Sequence, residues 1–222
     1  LGSTVSMSGG TLDADETLTL SGALTQTGDI TIDVAEDKTL TYSGAALSLG
    51  AHTLTLSGGG DSTLSNTNAL ALDDVDSLLT LAGIVTIGDV EGTAASNSGK
   101  GIKVTSSATL GDYDLSAESY LDIAAGKTLA GQLNLQSNGE LNISGSGKYT
   151  GDIALAGGKF SAVDDQVLDG TLSVTADSEL SVASGYTLEL SQDGGLSLGA
   201  NTLTLSGGGS LESEGLTLNN AS

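Results

Sequence analysis

His52 is the single histidine of the chain, so an imidazole-dependent nucleophile or a histidine metal centre has one residue to be built on. It sits in Leu47-Ser-Leu-Gly-Ala-His-Thr-Leu-Thr-Leu-Ser-Gly-Gly-Gly60, which recurs as Leu196-Ser-Leu-Gly-Ala-Asn-Thr-Leu-Thr-Leu-Ser-Gly-Gly-Gly209 with Asn201 in its place. A position that takes either His or Asn reads as a polar turn. Carboxylate pairs occur at Asp73-Asp74, with Asp76 following, and at Asp164-Asp165. Paired carboxylates can act as acid and base on a polysaccharide, or hold Ca²⁺ beside a basic residue. With no arginine and too few aromatic residues to line a cleft for sugar rings, these pairs read as solvated turns, and no enzymatic activity is expected. Four Gly-Asp steps, Gly28-Asp29, Gly88-Asp89, Gly111-Asp112 and Gly151-Asp152, present carboxylates at turns. Asp29, Asp89, Asp112 and Asp152 are therefore the weak Ca²⁺ candidates; the competing use of each is to bond turn amides. Gly58-Gly-Gly-Asp61 also has the look of a calcium turn, but its duplicate continues Gly209-Ser210 and lacks the carboxylate. No cofactor is expected.

The elements that would position these residues are constrained by composition. Among 222 residues there are 6 Lys+Arg against 28 Asp+Glu, a formal net charge of −22. All the basic residues are lysines (Lys38, Lys100, Lys103, Lys127, Lys148 and Lys159), so forked recognition of phosphate is absent. Nucleic acid and anionic membrane surfaces would be repelled. Without cysteine there is no disulfide framework and no thiolate metal site. Proline is also absent, and aromatic residues make up 3% of the chain, which rules out an aromatic core. The apolar residues are strictly patterned and the charged fraction is 15%, which argues against disorder. No apolar run is long enough for membrane insertion. The start, Leu1-Gly-Ser-Thr-Val5, reads as a processed product, a segment of something longer or a trimmed product.

Repeats give the fold. A looser unit, apolar-x-apolar-x-x-turn-x-x-apolar, appears at Ile32–Leu40, Leu121–Leu129 and Leu180–Leu188, and the same template fits Ile102–Leu110, Leu133–Leu141, Leu141–Tyr149 and Leu172–Leu180. Leucines at 172, 180, 188, 196, 203, 211 and 218 step by seven or eight residues. That step is too short for helical repeats, and the alternation inside each unit gives strands with one buried face. Hairpins would call for paired Asn-Gly or Asp-Gly turns, and such dipeptides are few, Asn138-Gly139 among them. The expectation is an all-β single domain over 1–222, a parallel β-helix (β-solenoid) of about nine or ten coils, roughly 22–25 residues per coil and roughly 45 Å long. The repeat step leaves two or three sides open; three is favoured. The leucines of 172–218 are expected to form one interior column.

The interruption Glu91-Gly-Thr-Ala-Ala-Ser-Asn-Ser-Gly-Lys100 lacks alternation and is predicted to protrude as a loop, and Gly111–Tyr120 is predicted to be irregular. Thr-x-Thr pairs at Thr17/Thr19, Thr25/Thr27, Thr39/Thr41, Thr53/Thr55 and Thr202/Thr204 would suit a water-ordering, ice-binding face, but none occurs between residues 56 and 201. Both ends, Thr11–Leu20 and Gly215–Leu218, carry the repeat uncapped, so the partners expected are a further coil of a longer parent chain or another subunit stacked end-to-end.

The units Val34-Ala-Glu-Asp-Lys-Thr-Leu40, Ile123-Ala-Ala-Gly-Lys-Thr-Leu129 and Val182-Ala-Ser-Gly-Tyr-Thr-Leu188, with Leu-Thr-Leu-Ser-Gly-Gly-Gly, resemble the repeats of bacterial β-helical surface adhesins. These include autotransporter passenger domains and filamentous-haemagglutinin-like proteins. The resemblance implies a right-handed β-helix, export to the cell surface, and an adhesive or fibre-building role. It transfers no functional residue. The function expected is a non-catalytic extracellular rod, with a binding module for a glycan, a host surface or ice as the alternative.

Overall fold

Aliphatic residues alternating with Thr, Ser and Asp between Gly-rich turns produce short strands, and no helix occurs among the described residues. Those are residues 2–191, 196–198, 200–213 and 218–219 of the computed structural model. The ladders between strands are parallel and form three walls. The first wall stacks ten strands, from Thr11–Ala14 to Leu203–Gly207. The second runs from Leu18–Leu20 to Ser210–Ser213. The third starts with Val5–Met7 beside Leu24–Gln26, continues from Leu47–Ser48 to Leu172–Ala176, and ends with Leu196–Ser197 beside Leu218–Asn219. Two long strands, Ala108–Leu115 and Thr128–Gln136, bend round a corner and belong to both second and third walls. The chain is thus a three-sided parallel β-solenoid of about nine turns.

The core is a set of aliphatic columns along the axis. On the first wall Ile32, Leu56, Leu81, Val104 and Ile123 stack in register, each almost wholly buried. On the third, Leu47, Leu70, Val90, Tyr113, Leu133 and Ile153 do the same, and the partly buried Leu172 continues the stack. Burying one such side chain contributes about 1.5–3 kcal/mol, so the core needs no large aromatic cluster. The leucines expected in one column lie on three: Leu180 and Leu203 on the first wall, Leu188 and Leu211 on the second, Leu172 on the third. A step of seven or eight residues advances one wall, whereas stacked neighbours are a full coil apart. The side chains of Leu196 and Leu218, and all of Gly215 to Thr217, lie outside the described residues.

Coil length varies more than the repeats suggest. On the first wall the step is 24 residues from Ile30 to Leu54 and 25 from Leu54 to Leu79. It falls to 19 from Ile102 to Leu121, is 19 again from Leu141 to Phe160 and 20 from Phe160 to Leu180, then returns to 25 at Leu205. Within the near-identical segments, the strands Thr53–Gly58 and Leu203–Gly207 lie on the first wall seven coils apart.

One corner requires glycine. Between the second and third walls Gly111, Gly131, Gly151 and Gly170 follow one another on successive coils. A Cβ on Gly151 would lie 1.8 Å from the Gly131 carbonyl oxygen, and one on Gly170 would lie 1.9 Å from that of Gly151. The chain turns here by letting backbones touch.

Two irregular stretches prove more regular than expected. Glu91 and Gly92 belong to the strand Val90–Gly92, paired with Leu70–Leu72, and residues 93–100 are a long corner rather than a free projection. Its amides bond the neighbouring coils: Ser96 N–H to the Glu118 carbonyl at 2.8 Å and Asn97 N–H to the Val75 carbonyl at 2.7 Å. Gly111–Tyr120 lies mostly in strands, with Tyr113 buried and its hydroxyl 2.7 Å from Ser119 Oγ. Its irregularity in sequence is a register shift between Thr109 and Asp112, where the strand rounds the corner.

Candidate functional site

The acidic residues that invited a catalytic or metal reading are brackets between coils. Asp29 accepts the Thr53 N–H at 2.8 Å, Asp177 the Thr202 N–H at 2.7 Å, Asp152 the Thr171 N–H at 2.8 Å and Asp165 the Thr187 N–H at 2.8 Å. Each pair spans one coil, and together they occupy all three corners. The chemistry resembles a helix N-cap: a carboxylate satisfies a backbone donor that the turn leaves open. Asp73 takes the Gly50 N–H from the coil below, Asp74 the N–H of Asp76, Asp76 the Asn97 amide, and Asp164 the N–H of Asp165. His52 sits in the turn before the strand Thr53–Gly58, where its carbonyl accepts the Leu78 N–H.

Of the Ca²⁺ candidates, Asp89 and Asp112 come together on adjacent coils, with the Asp112 N–H donated to Asp89 at 3.0 Å. Asp29 and Asp152 lie elsewhere on the rod. Among the described residues no three His, Asp or Glu side chains gather around a point where a metal ion would sit. Hydrogen bonds from the Thr171 backbone and side chain hold the Asp152 carboxyl below its ordinary value. Its contribution to stability is therefore complete above the unfolded-state pKa and is lost as pH falls through the depressed folded value. Asp152→Asn should flatten the acid side of the stability profile below pH of about 4 without changing it near neutrality by more than the loss of one charged hydrogen bond. Urea midpoints measured from pH 7 to 2 test this, and an unchanged acid slope would remove Asp152 from the account.

Outward threonines form columns that pairs in the sequence do not reveal. Thr11, Thr31, Thr55 and Thr80 stack on the first wall, and Thr39, Thr63, Thr86 and Thr109 on the second. Above Thr80 the first column continues as Lys103 and Asp122, so it ends as a uniform surface.

A groove of about 540 Å³ lies over the upper coils. It lies where the third wall turns into the first. That corner takes eight residues at 93–100 but only two at 116–117, three at 137–139, two at 157–158 and one at Asp177. Short corners draw the backbone inward and leave a waist beside the longer coil that ends in Leu203–Gly207. Gly139, Gly157 and Gly158 form the floor, and Asn138, Glu140, Lys159, Asp177, Ser178, Glu179, Thr202 and Thr204 line it. A Cβ on Gly158 would lie 2.6 Å from the Gly139 carbonyl oxygen, so the floor stays bare.

Its electrostatics come from one outward column of the first wall: Glu118, Glu140, Lys159, Glu179 and Thr204. Lys159 Nζ lies 2.8 Å from Glu140 Oε1, both side chains about one-third exposed. The hydrogen bond to Glu140 raises the Lys159 ammonium above its ordinary value, with Glu179 and Glu118 adding to it. Each glutamate also reaches diagonally to the coil above: Glu118 to Asn142 at 3.0 Å, Glu140 to Ser161 at 3.3 Å and Glu179 to Ser206 at 2.5 Å. The Tyr120 hydroxyl donates to Glu118 at 2.9 Å, and that bond raises its pKa. These residues were not singled out by sequence reasoning. The signal was present in the shortened spacing from Leu141 to Phe160 to Leu180 and in the adjacent Gly157-Gly158.

The chain matches no family model, no curated protein and no solved structure.

Proposed function

We propose that this chain is a non-catalytic structural rod, a segment of a surface fibre or adhesin stalk that works outside the cell. The observation that supports this best is the use of its polar chemistry. Carboxylates at all three corners hold backbone amides of the next coil rather than facing one another across a cleft. Such bonding stiffens the rod along its length. The high negative charge keeps neighbouring rods apart, and the likeness of the units to adhesin repeats supports a surface location. No helix among the described residues is long and apolar enough to cross a membrane.

At the upper end Leu205 continues the column Leu141–Phe160–Leu180 and is 58% exposed, so a further coil would find a matching edge there. The partner is either more of a longer parent chain or another subunit stacked end-to-end. Negative-stain microscopy with size-exclusion chromatography tests the reading. Rods of about 43 Å, or end-to-end multiples of that length, are expected from nine inter-coil steps. Compact particles, or release of reducing ends from a polysaccharide panel, would overturn it. A second reading, a module that binds a ligand while serving as a stalk, is favoured by the groove.

A further inference from the structure

We propose that the groove at the third-to-first corner binds an extended, uncharged polyhydroxylated chain, that is, a neutral oligosaccharide lying along the rod axis. This rests on the reading of the chain as a non-catalytic rod, in that the ligand is held and not converted. Four successive coils line the groove, from Asn138–Glu140 to Thr202–Thr204, which makes it about 14 Å long at the spacing of stacked strands. A ligand matching that length is linear.

The polar groups select its chemistry. Acceptors (the Asp177 and Glu179 carboxylates) alternate with donors (the Lys159 ammonium and the Asn138 amide) over short distances. Among the described residues the Asn138 amide and the Thr204 hydroxyl make no side-chain hydrogen bond, so both are open to a ligand. A hydroxyl group donates and accepts from one atom without bringing charge, so a chain dense in hydroxyls can meet closely spaced acceptors and donors in turn. An anionic chain meets three carboxylates in the groove and −22 on the whole molecule, so acidic sugars are rejected. A cationic chain would have to compete with Lys159, which already holds Glu140. The bare glycine floor lets rings approach the backbone. With no aromatic residue among the lining, affinity comes from hydrogen bonding and is weak for each ring.

The test is amide NMR of the full chain with cellotetraose, maltotetraose and chitotetraose, alongside trigalacturonate and spermidine. At least one neutral tetrasaccharide should shift the amides of Gly157, Gly158, Thr202 and Thr204. Asn138→Gly, which keeps the positive φ of 70° at that turn, should weaken binding about tenfold with the melting temperature unchanged, and Glu179→Gln, which also loses its charge-assisted bond to Ser206, should weaken binding about tenfold with the rod still folded by amide NMR. Shifts confined to other walls, shifts produced by trigalacturonate or spermidine in place of the neutral sugars, or no shift with any tetrasaccharide would each overturn the proposal. Intact rods by microscopy in those same samples would show that the groove assignment failed and not the rod.

Discussion

Leu121→Asp should destabilise the rod by about 4 kcal/mol or more, because it puts an unpaired charge into a dry column. Leu121 is fully buried between Ile102 below and Ile143 above. Its carboxylate would have no donor to meet and no water to reach. The same change at Leu188, equally buried but in an upper coil, should behave differently. Each coil contacts only its neighbours, so damage near an end frays the end and damage in the middle divides the rod. Hydrogen exchange should show Leu188→Asp losing protection from Ser178–Val182 upward while Gly101–Val104 keeps its own. A stability change below about 1 kcal/mol for Leu121→Asp would contradict the interior assignment.

Gly151→Ala should cost about 3 kcal/mol, as over-packing against rigid backbone does. The new methyl would need the space of the Gly131 carbonyl oxygen, and Gly170 lies against the Gly151 carbonyl from above. Gly126→Ala is the informative control. Gly126 has a φ of +70° but open space around its missing Cβ, so its cost is conformational, about 1 kcal/mol. Equal losses at the two sites, read from urea denaturation, would mean that close packing at the corner has no special weight.

Much of the architecture was legible in the residues. Ile32-Asp-Val34 and Leu121-Asp-Ile123 show which side chains turn inward, and the short step from unit to unit excludes helices. The number of walls was harder to read because coil length is not constant. The 89 residues between those two units cover four coils, and the 59 from Leu121 to Leu180 cover three. Strands must stay in register, but corners have no such constraint, so the length variation collects where 93–100 takes eight residues and Asp177 one. The groove was invisible for the same reason: it is made by residues a corner does not contain. The acidic residues were legible as turn carboxylates, but not the partners they hold. The amide that Asp29 accepts lies 24 residues away and the one that Asp152 accepts lies 19 away, on the next coil, where no local pattern points.

The hydrogen bonds between coils run along the axis of the rod, and this determines how it yields to force. Tension applied through the two chain ends is concentrated at one point of the outermost ladder, as in peeling tape, whereas each interior ladder shares the same force over a whole coil and holds until its turn comes. A coil of 19 to 25 residues then unwinds at each event. At about 3.4 Å per extended residue, each event releases roughly 65–85 Å of thread, more than the folded length of the whole rod. A rod built this way is stiff under bending, and under a sudden pull it pays out slack in small instalments.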